Sequence, residues 1–321
     1  MDDSGIGRHD RGMRLSPVVA VPLILLWAFG YPLGALGVAA MSPMLLVFLR
    51  FGLSGIAMAV VVRATGRRWP CGAALRHAVV AGLLGQAGQF MGLYLGLTAG
   101  VPPAVAALVI AVNPVVTTLA ARITLAEKLT GRKVVAAALG LAAVVAACWS
   151  AVGHLTHAGA GIGFTLLGLA GLVSGGLYQQ RFCRGADPIT LNAVGLMSSA
   201  LPAGIAAIAT GLAVPHPVRA VEVLAAMVVL SSLVATTLYV RAIAQAGAVA
   251  AASVFAVIPS VTALMTYAMF GTRPSLGAVV GLVLGAAACV VTSGVGGHGA
   301  RRVIRRAALR ATGQGPVRSG A

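Results

Sequence analysis

The chain has 321 residues, of which 59% are apolar and only 9% charged, and its mean hydropathy is +0.97. A soluble domain carries about a quarter charged residues, so a water-facing exterior is excluded and a polytopic membrane protein is expected. The net charge of +17, from 23 Lys and Arg against six acids with aromatics at 5%, points to membrane topology and gives no support to a nucleic-acid partner.

Residues 1–16 read as a cytoplasmic tail, and the apolar run that follows is too long for the core of a cleaved signal peptide. A membrane-crossing helix needs about 20 mostly apolar residues. Cutting the sequence at charges and at Pro/Gly clusters predicts ten such runs. The first five fall near 17–38, 43–63, 75–97, 102–122 and 130–149. After a linker at 150–159, the second five fall near 160–180, 189–212, 221–243, 247–270 and 275–294, and a basic tail occupies 295–321. Cys71, Cys148, Cys183 and Cys289 have no metal or disulfide spacing.

The fourth run contains Ala106–Leu119, AALVIAVNPVVTTL, which returns 145 positions later as Ala251–Leu264, AASVFAVIPSVTAL, with nine of fourteen positions identical. The same offset pairs Pro43 with Pro188, Tyr94 with Tyr239, Pro114 with Pro259 and Gly140 with Gly285. A constant offset over such a length marks a duplicated unit, here 17–149 and 160–294.

Orientation follows from the basic residues, which collect on the cytoplasmic side. With both termini inside, twenty Lys and Arg lie in inner segments, only Arg219 and Arg273 lie outside, and Arg50 is left within a span. Five spans per copy then place the second copy upside down. Glu127-Lys128 faces the cytoplasm, while its counterpart Thr272-Arg273 faces out. The expected fold is an all-α polytopic membrane protein with ten transmembrane helices as two inverted five-helix repeats. That symmetry serves alternating access in secondary transporters, and small residues such as Gly281 and Gly285 favour close helix packing.

Several segments, in order and across both halves, resemble EamA-type members of the drug/metabolite transporter superfamily. They are LLWAFGYP (Leu25–Pro32), SPMLLVFLRF (Ser42–Phe51), YLGLTAGVPPAVAAL (Tyr94–Leu108) and LAEKLTGRKVVAAALG (Leu125–Gly140). The resemblance implies a ten-helix carrier for small organic molecules, in many members an exporter of amino acids or related metabolites. The second copy departs from the first, with Thr272 in place of Glu127 and Leu172 in place of Trp27.

Arg50 is the single charge near mid-span, and an Arg there costs about 2.5–3.5 kcal/mol on insertion scales. It either attracts a carboxylate or phosphate on a solute or bonds the protein's own polar groups. Gln86, Gln89, Tyr94, Asn113, Tyr178 and Tyr239 are candidates for a hydrogen-bonding pocket, or for bonds between helices. Trp27 and Tyr31, one turn apart, are candidate aromatic walls or core packing. No span carries an Asp, Glu or His at its middle, which favours facilitated diffusion or exchange over a buried-carboxylate proton pump. No phosphate-binding loop, HExxH pattern or paired aspartate stands within the spans, so neither enzyme activity, a metal nor a cofactor is expected. The expected partners are a small-molecule solute and membrane lipids, with a homo-oligomer left open and a non-transporting scaffold or receptor as the alternative function.

Overall fold

The computed structural model describes residues 15–99, 101, 106, 109–126, 130–147, 161–271 and 276–293. Residues 1–14 of the first tail, the second tail, the 150–159 linker, Glu127, Thr272 and Arg273 lie outside these residues, as does Cys148. The described residues are helical and contain no strand.

Four long helices begin with proline at the first helical position: α1 (Pro17–Ala40), α2 (Pro43–Ala64), α7 (Pro188–Thr210) and α8 (Pro217–Ala246). Proline suits that position because the N–H it lacks would have had no intrahelical partner. Asp187 caps α7, accepting from the Ile189 and Thr190 backbone N–H groups at 3.1 Å each. The remaining long helices are α3 (Gly72–Thr98), α4 (Asn113–Thr124), α5 (Gly131–Ala147), α6 (Gly161–Phe182), α9 (Ile258–Phe270) and α10 (Leu276–Ser293), with a short helix at Ala248–Ala252 ahead of α9. Seven helical stretches among the described residues are long and apolar enough to cross a membrane, and Val279–Val291 is a shorter apolar one. The chain is therefore a multi-pass membrane protein. The runs expected near 102–122 and 130–149 appear as the shorter α4 and α5, each flanked by residues outside the description.

The duplication reappears in irregularities of the backbone. A π-helical segment interrupts α3 at Leu83–Gly88, and another interrupts α8 at Met227–Ala235, which covers the same repeat positions. A turn at Val112 precedes α4, and a 3₁₀ turn at Ser253–Ala256 followed by Val257 precedes α9. Pro114 and Pro259 explain these breaks, because neither can donate to the carbonyl four residues earlier.

Equivalent helices pack on each other and run antiparallel. At one end Ser42, before α2, bonds Ala213, just past α7, and at the other Arg67, past α2, pairs with Asp187 at the start of α7. α5 and α10 also meet along their length, with the Arg132 Nε donating to the Val291 carbonyl. Equivalent helices of the two copies thus run in opposite directions, and among the described residues the α3–α6, α2–α7 and α5–α10 contacts are the most extensive.

Each copy also packs its first helix against the third helix of the other copy, α1 on α8 and α6 on α3. The α3–α6 contact is a seam of backbone against backbone. A Cβ on Gly92 would stand 2.5 Å from the Gly168 nitrogen, and one on Gly175 2.4 Å from the Gly85 Cα. Polar side chains such as Asn113, Asn192, Ser54 and Thr165 are buried, while Ile56, Leu201 and Ile208 face outward. This polar-in, apolar-out arrangement suits a hydrocarbon solvent, in which polar groups must find partners inside the protein.

Candidate functional site

Two cavities occupy the middle of the bundle. The larger, about 110 Å³, is lined by Trp27, Tyr31 and Gly34 from α1, Arg50 from α2, and Gln89 through Leu97 on α3. Ser231 of the α8 π segment and Phe255 and Ile258 at the α9 break complete it. The smaller, about 40 Å³, is lined by Gly82, Gln86 and Gln89 of α3, Gly175 and Gln179 of α6, and Tyr239 of α8. Trp27, Gln89 and Phe90 border both cavities and form the partition between them.

The two cavities are related by the duplication. Trp27, Gly30, Tyr31, Gly34, Tyr94 and Ser231 in the first correspond, at the 145-residue offset, to Leu172, Gly175, Gly176, Gln179, Tyr239 and Gln86 in the second. The first reaches toward the end of the bundle where α1 and α3 finish, through Val38 and Leu97; the second lies toward the end where α3 begins and α6 and α8 finish. Their difference in size has a local cause. Gly30 leaves a Cβ position 3.8 Å from the Ser231 hydroxyl, so the α1 backbone floors a space, whereas its counterpart Gly175 is closed directly onto Gly85.

Arg50 is 2% exposed. Its Nε donates to the Ser232 hydroxyl at 2.7 Å and its terminal nitrogen to the Ser231 hydroxyl at 2.8 Å, while the Phe90 ring faces the guanidinium at 4.3 Å. These neutral partners stabilise the cation through hydrogen bonds and the ring quadrupole. Among the described residues the one ion pair joins Arg67 to Asp187 at a bundle end. The network continues from Ser232, whose carbonyl accepts from Asn192 Nδ2 at 3.0 Å; Asn192 Nδ2 also donates to Thr237 at 2.9 Å, and its Oδ1 accepts from Gln86 at 3.1 Å. One web of hydrogen bonds therefore ties the two π segments together. π-Bulges occur often at functional sites, and here both supply side chains to the cavities. Trp27 packs against Tyr239 and Phe255, each with ring centroids 4.7 Å away, and its indole N–H has no acceptor.

Of the residues singled out in the sequence, Trp27, Tyr31, Arg50, Gln89 and Tyr94 meet in the first cavity, and Trp27, Gln86, Gln89 and Tyr239 in the second. Asn113 and Tyr178 line neither. Asn113 is fully buried and its side-chain oxygen accepts from the Thr117 hydroxyl at 2.8 Å. Tyr178 sits at the α3–α6 end, its hydroxyl 2.8 Å from His77 Nδ1 and its ring against Phe182. Sequence reading missed Phe90, Ser231 and Phe255. Phe90 adjoins the Gln86/Gln89 pair and Phe255 lies in the duplicated stretch, so position signalled both weakly; Ser231 depends on the α8 π segment, which no local pattern announces.

The EamA-like transporter family matches residues 16–149 and 159–294, both repeats and most of the chain. The chain belongs to the EamA-like transporter family. It is thus a membrane transporter of the drug/metabolite superfamily, as the sequence resemblance implied. No curated protein matches its sequence. A solved crystal structure superposes at a TM-score of 0.73 with 20% identity, covering 89% of this chain and 97% of that one. At that identity the likeness concerns the fold, which this EamA-like chain shares over nearly its whole described length.

Proposed function

We propose that this EamA-like protein is a secondary carrier of small organic solutes, exporting amino acids or related neutral or anionic metabolites by alternating access. In this reading the chain crosses the cell membrane ten times as two inverted five-helix repeats, 17–149 and 160–294, with the 150–159 linker outside and both termini in the cytoplasm. The observation that carries the reading is the pair of duplication-related cavities on opposite sides of the Trp27–Gln89–Phe90 partition. In an inverted repeat, exchange of conformation between the halves would enlarge one cavity as it shrinks the other. Trp27, Tyr31, Arg50, Gln89 and Tyr94 would hold the solute from one side, and Gln86 and Tyr239 from the other. Asn113 and Tyr178 would act at one remove, Asn113 by holding the start of α4 through Thr117 and Tyr178 through the α3–α6 contact.

The test is counterflow in proteoliposomes, comparing amino acids, organic anions and cationic dyes. One solute class should be driven inward by its own outward gradient, and Arg50→Ala should lose that class selectively at matched protein levels. Absence of counterflow for every class, in protein that is folded and correctly inserted, would favour a membrane scaffold or receptor instead.

A further inference from the structure

We propose that the first cavity selects a small monocarboxylate with an apolar body, in preference to a zwitterionic amino acid. This narrows the solute of the carrier reading above and rests on it.

Three observations converge. The first is charge. Arg50 brings a full positive charge to the cavity wall, held by two serine hydroxyls and a phenyl ring, with no carboxylate against it among the described residues. An anion entering the cavity supplies the missing charge at short range, in surroundings where screening by water is weak. The second is hydrogen-bonding sense. Trp27 is 8% exposed and lines the cavity, and its buried indole N–H has no acceptor among the described residues. Indole nitrogen can only donate, whereas an ionised carboxylate only accepts and offers about four lone-pair sites. A carboxylate in this cavity therefore offers acceptors to both donors that line it, the indole and the guanidinium.

The third observation concerns the other end of an amino acid. Leu93, Phe255, Ile258 and Val38 make most of the remaining wall apolar, and among the described residues no Asp or Glu lines the cavity. An α-ammonium group brought here would lose its hydration, find no counter-charge and stand near Arg50, an arrangement that costs more than it returns. An apolar tail gains by burial against the same side chains.

Calorimetric titration of the purified protein in lipid discs at neutral pH tests this with four ligands on one branched skeleton: 4-methylpentanoate, leucine, 3-methylbutylamine and 4-methylpentanamide. The acid should bind roughly tenfold or more tightly than each of the others, because the amide and the amine lack the charged acceptor and leucine adds an unpaired ammonium. Trp27→Phe should weaken the acid several-fold and leave the amide nearly unchanged, and Arg50→Gln should bring the acid down to the amide. The ligand series on the unaltered protein stands by itself if Arg50→Gln fails to fold. Binding of leucine or the amine at least as tight as the acid overturns the monocarboxylate assignment and leaves the cavity a solute site. Heat from none of the four, in protein that still unfolds cooperatively, overturns both the assignment and the reading of this cavity as the carrier's site.

Discussion

A guanidinium in a membrane interior is tolerated when its N–H groups meet acceptors, and Arg50 meets the hydroxyls of two adjacent serines. Ser231 lines the first cavity, whereas Ser232 does not. Removing either hydroxyl leaves a charged donor short of a partner, which costs about 1–3 kcal/mol. Ser231→Ala and Ser232→Ala should therefore both lower the unfolding temperature in detergent, but only Ser231→Ala should also change solute affinity. Equal effects on affinity would place both hydroxyls in the site or neither. Cys183, just past α6, gives a separate check on burial. Its thiol is 8% exposed, and desolvation disfavours the thiolate and pushes its pKa up to about 11. An ordinary thiol is half ionised near pH 8.5. Alkylation of Cys183 should thus be slow at neutral pH and keep rising through about pH 10, where an unperturbed thiol has levelled off. A midpoint near pH 8.5 with a plateau by about pH 10 would contradict this burial.

Arg50 and Trp27 were legible as residues, since a lone charge and a tryptophan stand out in apolar sequence. Their partners were not. Ser231 and Phe255 come from the other repeat, and their facing depends on a π segment and a proline break that no hydropathy pattern reveals. At the scale of elements, the sequence drew attention to Gly281 and Gly285, and Gly285 does pack closely, its Cβ position 2.7 Å from the Ala256 carbonyl. The longer seam of α3 on α6 went unread, because glycines spaced along two distant helices do not say that they face each other. At Gly92 and Gly168 an added Cβ would meet main-chain atoms, which cannot swing aside. Gly92→Ala and Gly168→Ala should each destabilise by about 1–3 kcal/mol, the usual cost of overpacking. Gly163→Ala, on the same helix with nothing within 4 Å, should be neutral or stabilising by up to about 1 kcal/mol. Thermal unfolding of the three variants in one detergent checks the contrast, and similar losses in all three would deny the seam.

For the whole molecule, the 145-residue offset marked the duplication, and the matching α2 and α7 run antiparallel in the structure. It did not foretell the asymmetry between the cavities. The duplication pairs Arg50 with Gly195, Trp27 with Leu172 and Tyr31 with Gly176, so charge and aromatic bulk are concentrated on one side of the pseudo-symmetry. The proposed orientation has its own test. Cys71 is exposed in the loop between α2 and α3, beside Arg67 and Arg68. As a sole cysteine it should resist a membrane-impermeant thiol reagent in intact cells and react after permeabilisation. Reaction in intact cells would invert the topology. The relation between the cavities is tested most directly by reactivity at Leu97→Cys in the first and Ile243→Cys in the second, each in a cysteine-free background, with and without the solute that counterflow identifies. The two reactivities should change in opposite directions, one site closing to reagent from its side as the other opens from the opposite side. Reactivities that rise together, or that ignore the solute at both positions, would contradict alternating access through this pair of cavities.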